Sequence, residues 1–510
     1  MRFWGPCGCA IALATLAACA TLPPRPDAAP GRAEPAADHG PLHDTAELVS
    51  AQLAPKESAH WLLDRNELAF TARLALTDSA VSTLDVQYFI WQEDATGYLL
   101  AGRLLDAADR GVKIRLLLDD FSVTTRNEEL LRLDAHPSIE VRLFNPWAAR
   151  GGSAAKLGEL VRRLSELNPR MHNKTYIADG HLAIVGGRNI GDRYFGLYAP
   201  FVQNDLDVLL EGPIVDDVEK SFDVFWNSTL TYPAASFYTP PEPAAVVATA
   251  RAEIGGAVAA AGELLQAFPP RAAGWDEYLS SLTADFAKGR DVLYYDGPEL
   301  RDPVRMRLAP RLLSFIAGAQ HDVLISAPYF IPDEDLRNLL RTLVARGVRV
   351  RVITNSLATN NHVVAHTGYK KWRREVLAAG VELYELRADA ESLALYITPP
   401  ATAAALGLHT KAIVVDGERT FIGSPNIDPR SLVLNTELGI ATESPDLARR
   451  LGDLIERDMA PQNAWRVTMD AEGWLTWTSG SEQVRRQPAK GFRQRTIEFL
   501  LNLLPLKKQG

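Results

Sequence analysis

The chain contains the stretch MHNKTYIADG at residues 171–180 and a near copy of it, LHTKAIVVDG, at residues 408–417. In each copy a His and a Lys stand two positions apart in a strand-like run, so both side chains point to the same face. Each run ends in an Asp-Gly pair, which is typical of a tight turn. Two such copies in a chain of 510 residues indicate a duplicated structural unit.

The residues upstream of each copy repeat as well. A short apolar run begins each half and predicts a strand, a leucine-rich helical pattern follows it, and an Arg-Gly-Val sequence ends the helix before a second apolar strand. Glycine at that position favours a left-handed helix C-cap. In the first half these segments are 85–90, 99–105, 110–112 and 113–118, and in the second half 322–325, 336–343, 346–348 and 349–353.

A strand, a helix and a strand in succession favour parallel pairing, so we predict an α/β fold with two duplicated lobes. Each lobe is expected to be a mixed, mostly parallel sheet flanked by helices. The predicted boundaries are a signal peptide at 1–18, a disordered tether at 19–45, an N-terminal lobe at 46–235, a connecting segment at 236–300, partly helical between 246 and 267, a C-terminal lobe at 301–470 and a tail at 471–510.

The two His and two Lys residues form a set suited to phosphodiester exchange. Histidine has a reference pKa of about 6.5, so His172 and His409 are expected to act as nucleophile and general acid near neutral pH. Lys174 and Lys411 can neutralise the nonbridging phosphate oxygens. The set requires no metal and no cofactor.

Each motif is followed by a glycine-containing turn with an asparagine. The first turn holds Gly187 and Asn189, and the second holds Ser424 and Asn426. Glycine permits close backbone approach and the amides can donate to phosphate oxygens, so these four residues are candidate substrate ligands. The motif aspartates, Asp179 and Asp416, are interpreted as structural residues that hold the turn after each strand.

Each histidine also needs a carboxylate to orient its ring. Alignment of the halves places Asp205 opposite Glu437, each a few tens of residues beyond the histidine of its own half. We predict these two acids as the orienting residues. Asp207 is the rival in the first half, and surface acids at strand starts are the alternative for both.

These motifs resemble those of the phospholipase D superfamily, the HKD enzymes, over nearly the whole mature chain. The segments 88–91, 117–120, 186–195, 366–374 and 380–385 are similar to bacterial cardiolipin synthases, above all their type C branch. The resemblance implies one active site at the lobe interface and a phosphohistidine intermediate. It also implies His172 as nucleophile and His409 as acid, although the near symmetry of the two copies leaves that order open.

The N-terminus has the features of an export signal, with Arg2 before a short apolar run. Residues 16–19, Leu-Ala-Ala-Cys, resemble a bacterial lipobox, which implies lipidation of Cys19 and a lipid-anchored envelope protein; a plain secretory signal is the alternative. Ala20 favours the outer membrane by the usual sorting rule. The only other cysteines, Cys7 and Cys9, would be removed by cleavage.

The expected partners are a membrane and its phospholipids, phosphatidylglycerol and phosphatidylethanolamine. The chain carries a net charge of −9, which disfavours nucleic acid as a ligand. The resemblance implies a phosphatidyltransferase that passes a phosphatidyl group from one phospholipid to the hydroxyl of phosphatidylglycerol. A phospholipase D hydrolase releasing phosphatidic acid is the first alternative, followed by a nuclease and a non-enzymatic envelope scaffold. The oligomeric state stays open, and a monomer is compatible with the sequence.

Two basic segments have alternative interpretations. Residues 370–374, Lys-Lys-Trp-Arg-Arg, could hold lipid headgroups or form a solvated helix face. Residues 492–505 are amphipathic and could lie on a membrane surface or pack as a terminal helix against the core.

Overall fold

The computed structural model describes residues 21–26, 30–121, 128–150, 159, 163–269, 274–299, 308–360 and 363–503. The predicted signal peptide and Cys19 therefore lie outside the described residues. Two α/β lobes carry one sheet each, and the two sheets are joined edge to edge. No helix in the described ranges has both the length and the apolar character that a bilayer span requires.

In the described residues, the N-terminal lobe contains nine strands and the helices that flank them. The strands are β1 (Ser58–Leu63), β2 (Thr83–Tyr88), β3 (Lys113–Asp119), β4 (Ile139–Phe144), β5 (Thr175–Ala178), β6 (Leu182–Gly186), β7 (Val202–Asn204), β8 (Asp207–Glu211) and β9 (Thr231–Pro233). The helices are α1 (Pro41–Ser50), α2 (Asn66–Ser79), α3 (Ala95–Asp109), α4 (Glu128–Arg132) and α5 (Ile214–Trp226), followed by α6 (Pro243–Ala260) and α7 (Asp276–Leu282).

The C-terminal lobe repeats this order. Its strands are β10 (Ala287–Tyr295), β11 (Asp322–Ser326), β12 (Arg349–Asn355), β13 (Glu382–Leu386), β14 (Leu406–Leu408), β15 (Ala412–Val415), β16 (Arg419–Gly423), β17 (Leu438–Glu443), β18 (Ala464–Met469), β19 (Leu475–Ser479) and β20 (Glu482–Val484). Its helices are α8 (Leu308–Ala317), α9 (Glu334–Ala345), α10 (Val363–Ala378), α11 (Leu393–Tyr396), α12 (Pro445–Met459) and α13 (Phe492–Leu503).

The predicted duplication is confirmed by the sheet topology. The strand order is β4-β3-β2-β5-β6-β8-β1 in the first lobe and β13-β12-β11-β15-β16-β17-β10 in the second. Both sheets are mixed, as predicted, and the parallel part is confined to three strands per lobe. Gly111 and Gly347 close the crossover helices with φ of 97° and 87°, the left-handed conformation expected of them.

The buried apolar side chains within the described ranges form three clusters. One fills the outer face of the N-terminal sheet and another fills the outer face of the C-terminal sheet. The third is shared by both lobes, because Phe222 and Trp226 of α5 and Leu451 and Ile455 of α12 pack into it together. This shared core holds the two lobes in one fixed relation, which the active site requires.

The predicted tether is too long at its C-terminal end. Residues 31–40 follow the surface of the first lobe, where the amides of Gly31 and Ala33 donate to Asn227 Oδ1 and Asp223 Oδ2 over 2.9 and 3.0 Å. Helix α1 then begins at Pro41 and buries Leu42. The composition suggested disorder, but backbone hydrogen bonds to side chains of α5 and the loop after it order this stretch.

The predicted connecting segment at 236–300 is not a free linker. Helix α6 packs on α3, where Arg251 pairs with Asp106 and Asp109. Strand β10 pairs with β17 from Arg290 to Tyr295 and with β1 from Ala287 to Gly289, so it belongs to the C-terminal sheet and joins the two sheets. The tail predicted at 471–510 likewise includes β19 and β20, which extend that sheet beyond β18.

Both motif aspartates lie in two-residue turns. Asp179 and Gly180 have φ of 54° and 70°, and Asp416 and Gly417 have φ of 56° and 66°, as in a type I′ hairpin. The carboxylate of Asp179 accepts hydrogen bonds from the three successive amides of residues 81–83, over 2.8 to 2.9 Å. The amides of residues 320–322 bind Asp416 in the same way.

Replacing Asp179 by Ala is therefore expected to lower stability more than it lowers the chemical step. Three backbone donors lose their acceptor, which should decrease the free energy of unfolding by about 2–4 kcal/mol. Urea unfolding followed by circular dichroism measures this change. Asp217→Ala is the matched control, since that carboxylate is solvent-exposed on α5. An unchanged midpoint for Asp179→Ala would exclude the structural role.

Candidate active site

Both His-x-Lys motifs lie at the interface between the lobes. Each occupies the extended segment just before a strand, His172 and Lys174 before β5 and His409 and Lys411 before β15. Each segment pairs with the other lobe. The amide of His172 donates to Thr436 O over 2.9 Å, and β14, which ends at Leu408, pairs with β7.

Each histidine is bound by a carboxylate from the opposite lobe. His172 Nδ1 lies 2.8 Å from Glu437 Oε2, and His409 Nδ1 hydrogen-bonds Asp205 Oδ2. The structure thus brings together the acids predicted from the alignment, but each acid contacts the histidine of the other half of the chain. The rival acid, Asp207, instead pairs with Arg73 over 2.8 Å.

Burial makes both imidazoles neutral near pH 7. Burial lowers the pKa of His172 to about 4, with Glu437 opposing the shift and Lys174 adding to it. Burial and Lys411 lower the pKa of His409 to about 4, and Asp205 opposes them. Because an ionised carboxylate only accepts hydrogen bonds, each Nδ1 carries the hydrogen and each Nε2 keeps a free lone pair. A neutral ring with a free Nε2 is the form that a nucleophile needs.

The two lysines are buried beside the histidines. Lys174 Nζ donates to His172 O and Lys411 Nζ donates to His409 O, each over 2.5 Å. Burial lowers the pKa of Lys174 to about 7 and that of Lys411 to about 8, while the neighbouring carboxylates, Glu437 and Asp205, favour the charged forms. An anion bound between the two ammonium groups would favour their charged forms, because its negative charge offsets the loss of solvation that burial causes.

These lysine values set an expected pH dependence. A lowered lysine pKa means that the positive charge is present below that pKa and is lost above it. Because both charges are required, kcat/KM should decrease by about tenfold per pH unit between about pH 7 and 8 and by about hundredfold per unit above about pH 8. Initial rates on a short-chain phosphodiester between pH 5.5 and 9.5 measure this profile. The diester does not titrate in that range. A kcat/KM that stays level up to pH 9.5 would contradict neutralisation by these lysines.

The four predicted substrate ligands do not all face the site alike. A Cβ on Gly187 would come within 2.4 Å of Asp205 Oδ1, so this glycine makes room for the carboxylate. Ser424, its counterpart, donates its hydroxyl to Glu437 Oε2. Asn189 accepts from the Ile90 amide over 3.0 Å, which ties down the loop. Asn426 Oδ1 is buried, and no hydrogen-bond partner is found for it within the described part of the chain.

Sequence reasoning missed two reciprocal contacts that lock the motifs together. Thr436 donates to Asn173 Oδ1 over 2.6 Å, and Thr410 donates to Asn204 Oδ1 over 2.9 Å. Each bond joins the residue between His and Lys of one lobe to the residue before the acid of the other. One motif has Asn after its His and pairs with a Thr, whereas the other has Thr after its His and pairs with an Asn. The sequence contains this exchange, but it indicates a contact only when each motif is compared with the acid of the other lobe.

Two aromatic rings at the site were also missed. Phe89 lies edge-on to His172 at 5.0 Å between ring centroids, and Tyr194 lies edge-on to His409 at 5.4 Å. Both rings belong to the N-terminal lobe, where Phe89 follows β2 and Tyr194 follows the turn that contains Asn189. They give the two half-sites unequal surroundings.

A duplicated α/β fold with one His-x-Lys-x4-Asp motif per lobe at a shared interface defines the phospholipase D-like class of enzymes. A family model described as "Cardiolipin synthase, PLD-like domain" matches residues 74–226 and 312–459. The chain belongs to this cardiolipin synthase family.

Individual relatives agree with this assignment. Cardiolipin synthase C of Escherichia coli (strain K12) is 36% identical over 476 residues, which are 89% of this chain and 96% of that protein. Cardiolipin synthase A of Pseudomonas syringae pv. syringae is 27% identical over 78% of this chain and 67% of its own length. The crystal structure of phosphatidylserine synthase from Haemophilus influenzae shares the fold, with a TM-score of 0.55, 13% identity and coverage of 84% of this chain and 93% of that one.

Proposed function

We propose that this enzyme transfers a phosphatidyl group from one membrane phospholipid to the free hydroxyl of phosphatidylglycerol, forming cardiolipin. The observation that carries the proposal is the crosswise site, in which two buried His-carboxylate pairs and two buried lysines surround one position at the lobe interface. The similarity to a cardiolipin synthase over nearly all of both chains supports the choice of substrate.

In the proposed first step, His172 Nε2 attacks the phosphorus of the donor lipid. A P–N bond forms, the bond from phosphorus to the headgroup oxygen breaks, and His409 gives that oxygen a proton. His409 must be protonated for this role. Burial and Lys411 lower the pKa of His409, and the negative charge of the diester, held by Lys174 and Lys411, opposes both effects and raises that pKa.

In the second step, the hydroxyl of phosphatidylglycerol attacks the phosphohistidine. Its proton passes to His409, the P–N bond breaks, and cardiolipin is released with His172 neutral again. Glu437 holds the His172 ring and stabilises its positive charge in the intermediate, while Asp205 does the same for His409. Ser424 fixes Glu437 in turn.

We further propose that the protein is held at the envelope by lipidation of Cys19, with the outer membrane as its location. The lipobox-like residues 16–19 and the residue after them support this. Residues 31–40 lie on the enzyme body and belong to the stretch whose composition predicts a tether.

Product analysis tests the proposed activity. The protein is incubated with vesicles of phosphatidylglycerol alone and of phosphatidylglycerol with phosphatidylethanolamine, and the lipids are identified by mass spectrometry. Cardiolipin, with release of glycerol or ethanolamine, is the expected product. Phosphatidic acid as the sole product would replace the transferase by a hydrolase, and no turnover of either lipid would reject both.

A further inference from the structure

The C-terminal segment carries a charge opposite to that of the whole chain. Between Gln483 and Ile497 there are five Lys or Arg residues and no Asp or Glu, in a chain of net charge −9. Four of the five, Arg485, Arg486, Lys490 and Arg493, are exposed. A local positive surface on an acidic protein is a feature that requires an explanation of its own.

Helix α13 is held firmly, which corrects the idea that it lies free on a membrane. Glu498 pairs with Lys370 of α10 over 2.8 Å, and Gln494 Nε2 donates to Leu357 O over 2.6 Å. This docking leaves Phe492, at the start of the helix, 83% exposed. The segment 370–374 is not one headgroup-binding face, because Arg373 is buried against Glu385.

The segment also lies close to the active site. Leu357 follows β12, whose last residue, Asn355, exchanges two hydrogen bonds with Leu408, next to His409. Lys490 Nζ lies 5.7 Å from the ring centroid of Phe201, which belongs to the other lobe.

The loop that contributes Phe201 adds further basic and aromatic groups. Arg193 stacks on Tyr198 and Phe201, and the neighbouring Tyr194 contacts His409. Tyr198 is 37% exposed. The C-terminal segment and this loop therefore form one surface from both lobes. We call this surface the basic rim; it consists of Arg193, Tyr198, Phe201, Lys490, Phe492 and Arg493.

We propose that the basic rim docks the enzyme on an anionic bilayer, with Phe492 inserted at the interface and the arginines and lysine against lipid phosphates. Exposed aromatic rings next to basic side chains suit the headgroup region, where the ring meets acyl chains and the charge meets phosphate. A duplex nucleic acid would use the charges, but its stacked bases leave no apolar region that could bury the Phe492 ring, which is 83% exposed and which the acyl-chain region of a bilayer can take up. Docking here presents His409 and His172 to a diester at headgroup depth, and in this respect the proposal rests on the proposed function.

A depth measurement tests docking without reference to catalysis. The full chain is prepared with Cys7, Cys9 and Cys19 replaced by Ser, and a nitroxide is attached to Phe492→Cys or, as matched control, to Trp474→Cys. Trp474 is 65% exposed in the turn between β18 and β19, at the sheet end far from the site. With vesicles containing phosphatidylglycerol, the label at 492 should be accessible to oxygen and shielded from a polar nickel chelate, and the label at 474 should stay in water. Equal accessibility at both positions would overturn the proposal.

A second measurement separates docking from chemistry. Lys490→Gln with Arg493→Gln should weaken vesicle binding by about fivefold per charge removed, and added salt should abolish the difference. Lys220→Gln, on the surface of α5, is the control. On a monomeric short-chain phosphatidylglycerol the variant should turn over as the parent does. Equal loss on both substrates, or binding to an oligonucleotide in place of the vesicles, would contradict a lipid-docking role, whichever product the enzyme forms.

Discussion

Replacement of His172 by Ala is expected to reduce phosphodiester turnover by about 10⁴-fold or more, because no other group can form the covalent intermediate. The loss should be the same for a phospholipid and for a phosphatidyl ester of p-nitrophenol. The ring of His172 packs against Phe89 and Glu437, so circular dichroism must first show that the variant is folded.

His409→Ala should respond differently to the leaving group. Nitrophenolate leaves without protonation, so the first step should survive with this ester and produce a burst of nitrophenol, while turnover of natural phospholipid should fall by about 10²–10⁴-fold. The trapped phosphate should be found on His172. A burst from His172→Ala, with phosphate on His409, would reverse the two roles.

Removing the negative charge of the acid that contacts either histidine is expected to have the second large effect on turnover. Glu437→Gln should reduce turnover by about 10²–10⁴-fold through His172, and Asp205→Asn should do so through His409, since each amide fails to stabilise the charged imidazole. Turnover of the p-nitrophenol ester again distinguishes the two variants. Glu437→Gln should lose the nitrophenol burst together with turnover, whereas Asp205→Asn should keep the burst and lose turnover of natural lipid.

Double variants test the same pairing independently. Adding Glu437→Gln to His172→Ala should cost little beyond the single change, because both residues act through one ring. The matched comparison is Glu437→Gln with His409→Ala, where the losses should multiply. The opposite pattern would mean that each acid serves the histidine of its own half.

Much of the site could be predicted because its signals are local. The two-residue spacing of His and Lys depends only on the alternation of an extended chain, and the Asp-Gly pairs depend only on the conformations that a two-residue turn permits. The repeated order of strand, helix and strand showed the duplication for the same reason. The acids were found by alignment of the two halves, which needs no knowledge of their contacts.

Other features depend on groups far apart in the chain. A composition rich in proline, alanine and charge suggested a tether up to residue 45, but the amides of Gly31 and Ala33 find acceptors nearly two hundred residues away. Residues 287–295 read as a connection, although their partners in the C-terminal sheet make them a strand. The basic rim likewise combines a loop of one lobe with the last helix of the other.

The repeated fold, the two His-Lys pairs and the two acids beside the histidines could be recognised from the sequence, because each depends on a spacing of a few residues or on the comparison of two halves. The contact of each acid with a particular histidine depends instead on how the two lobes pack. His172 and Glu437 are 265 positions apart, and so are unrelated by any local rule. Their contact exists because the shared core of α5 and α12 brings the loop before β5 of one sheet against the loop before β17 of the other.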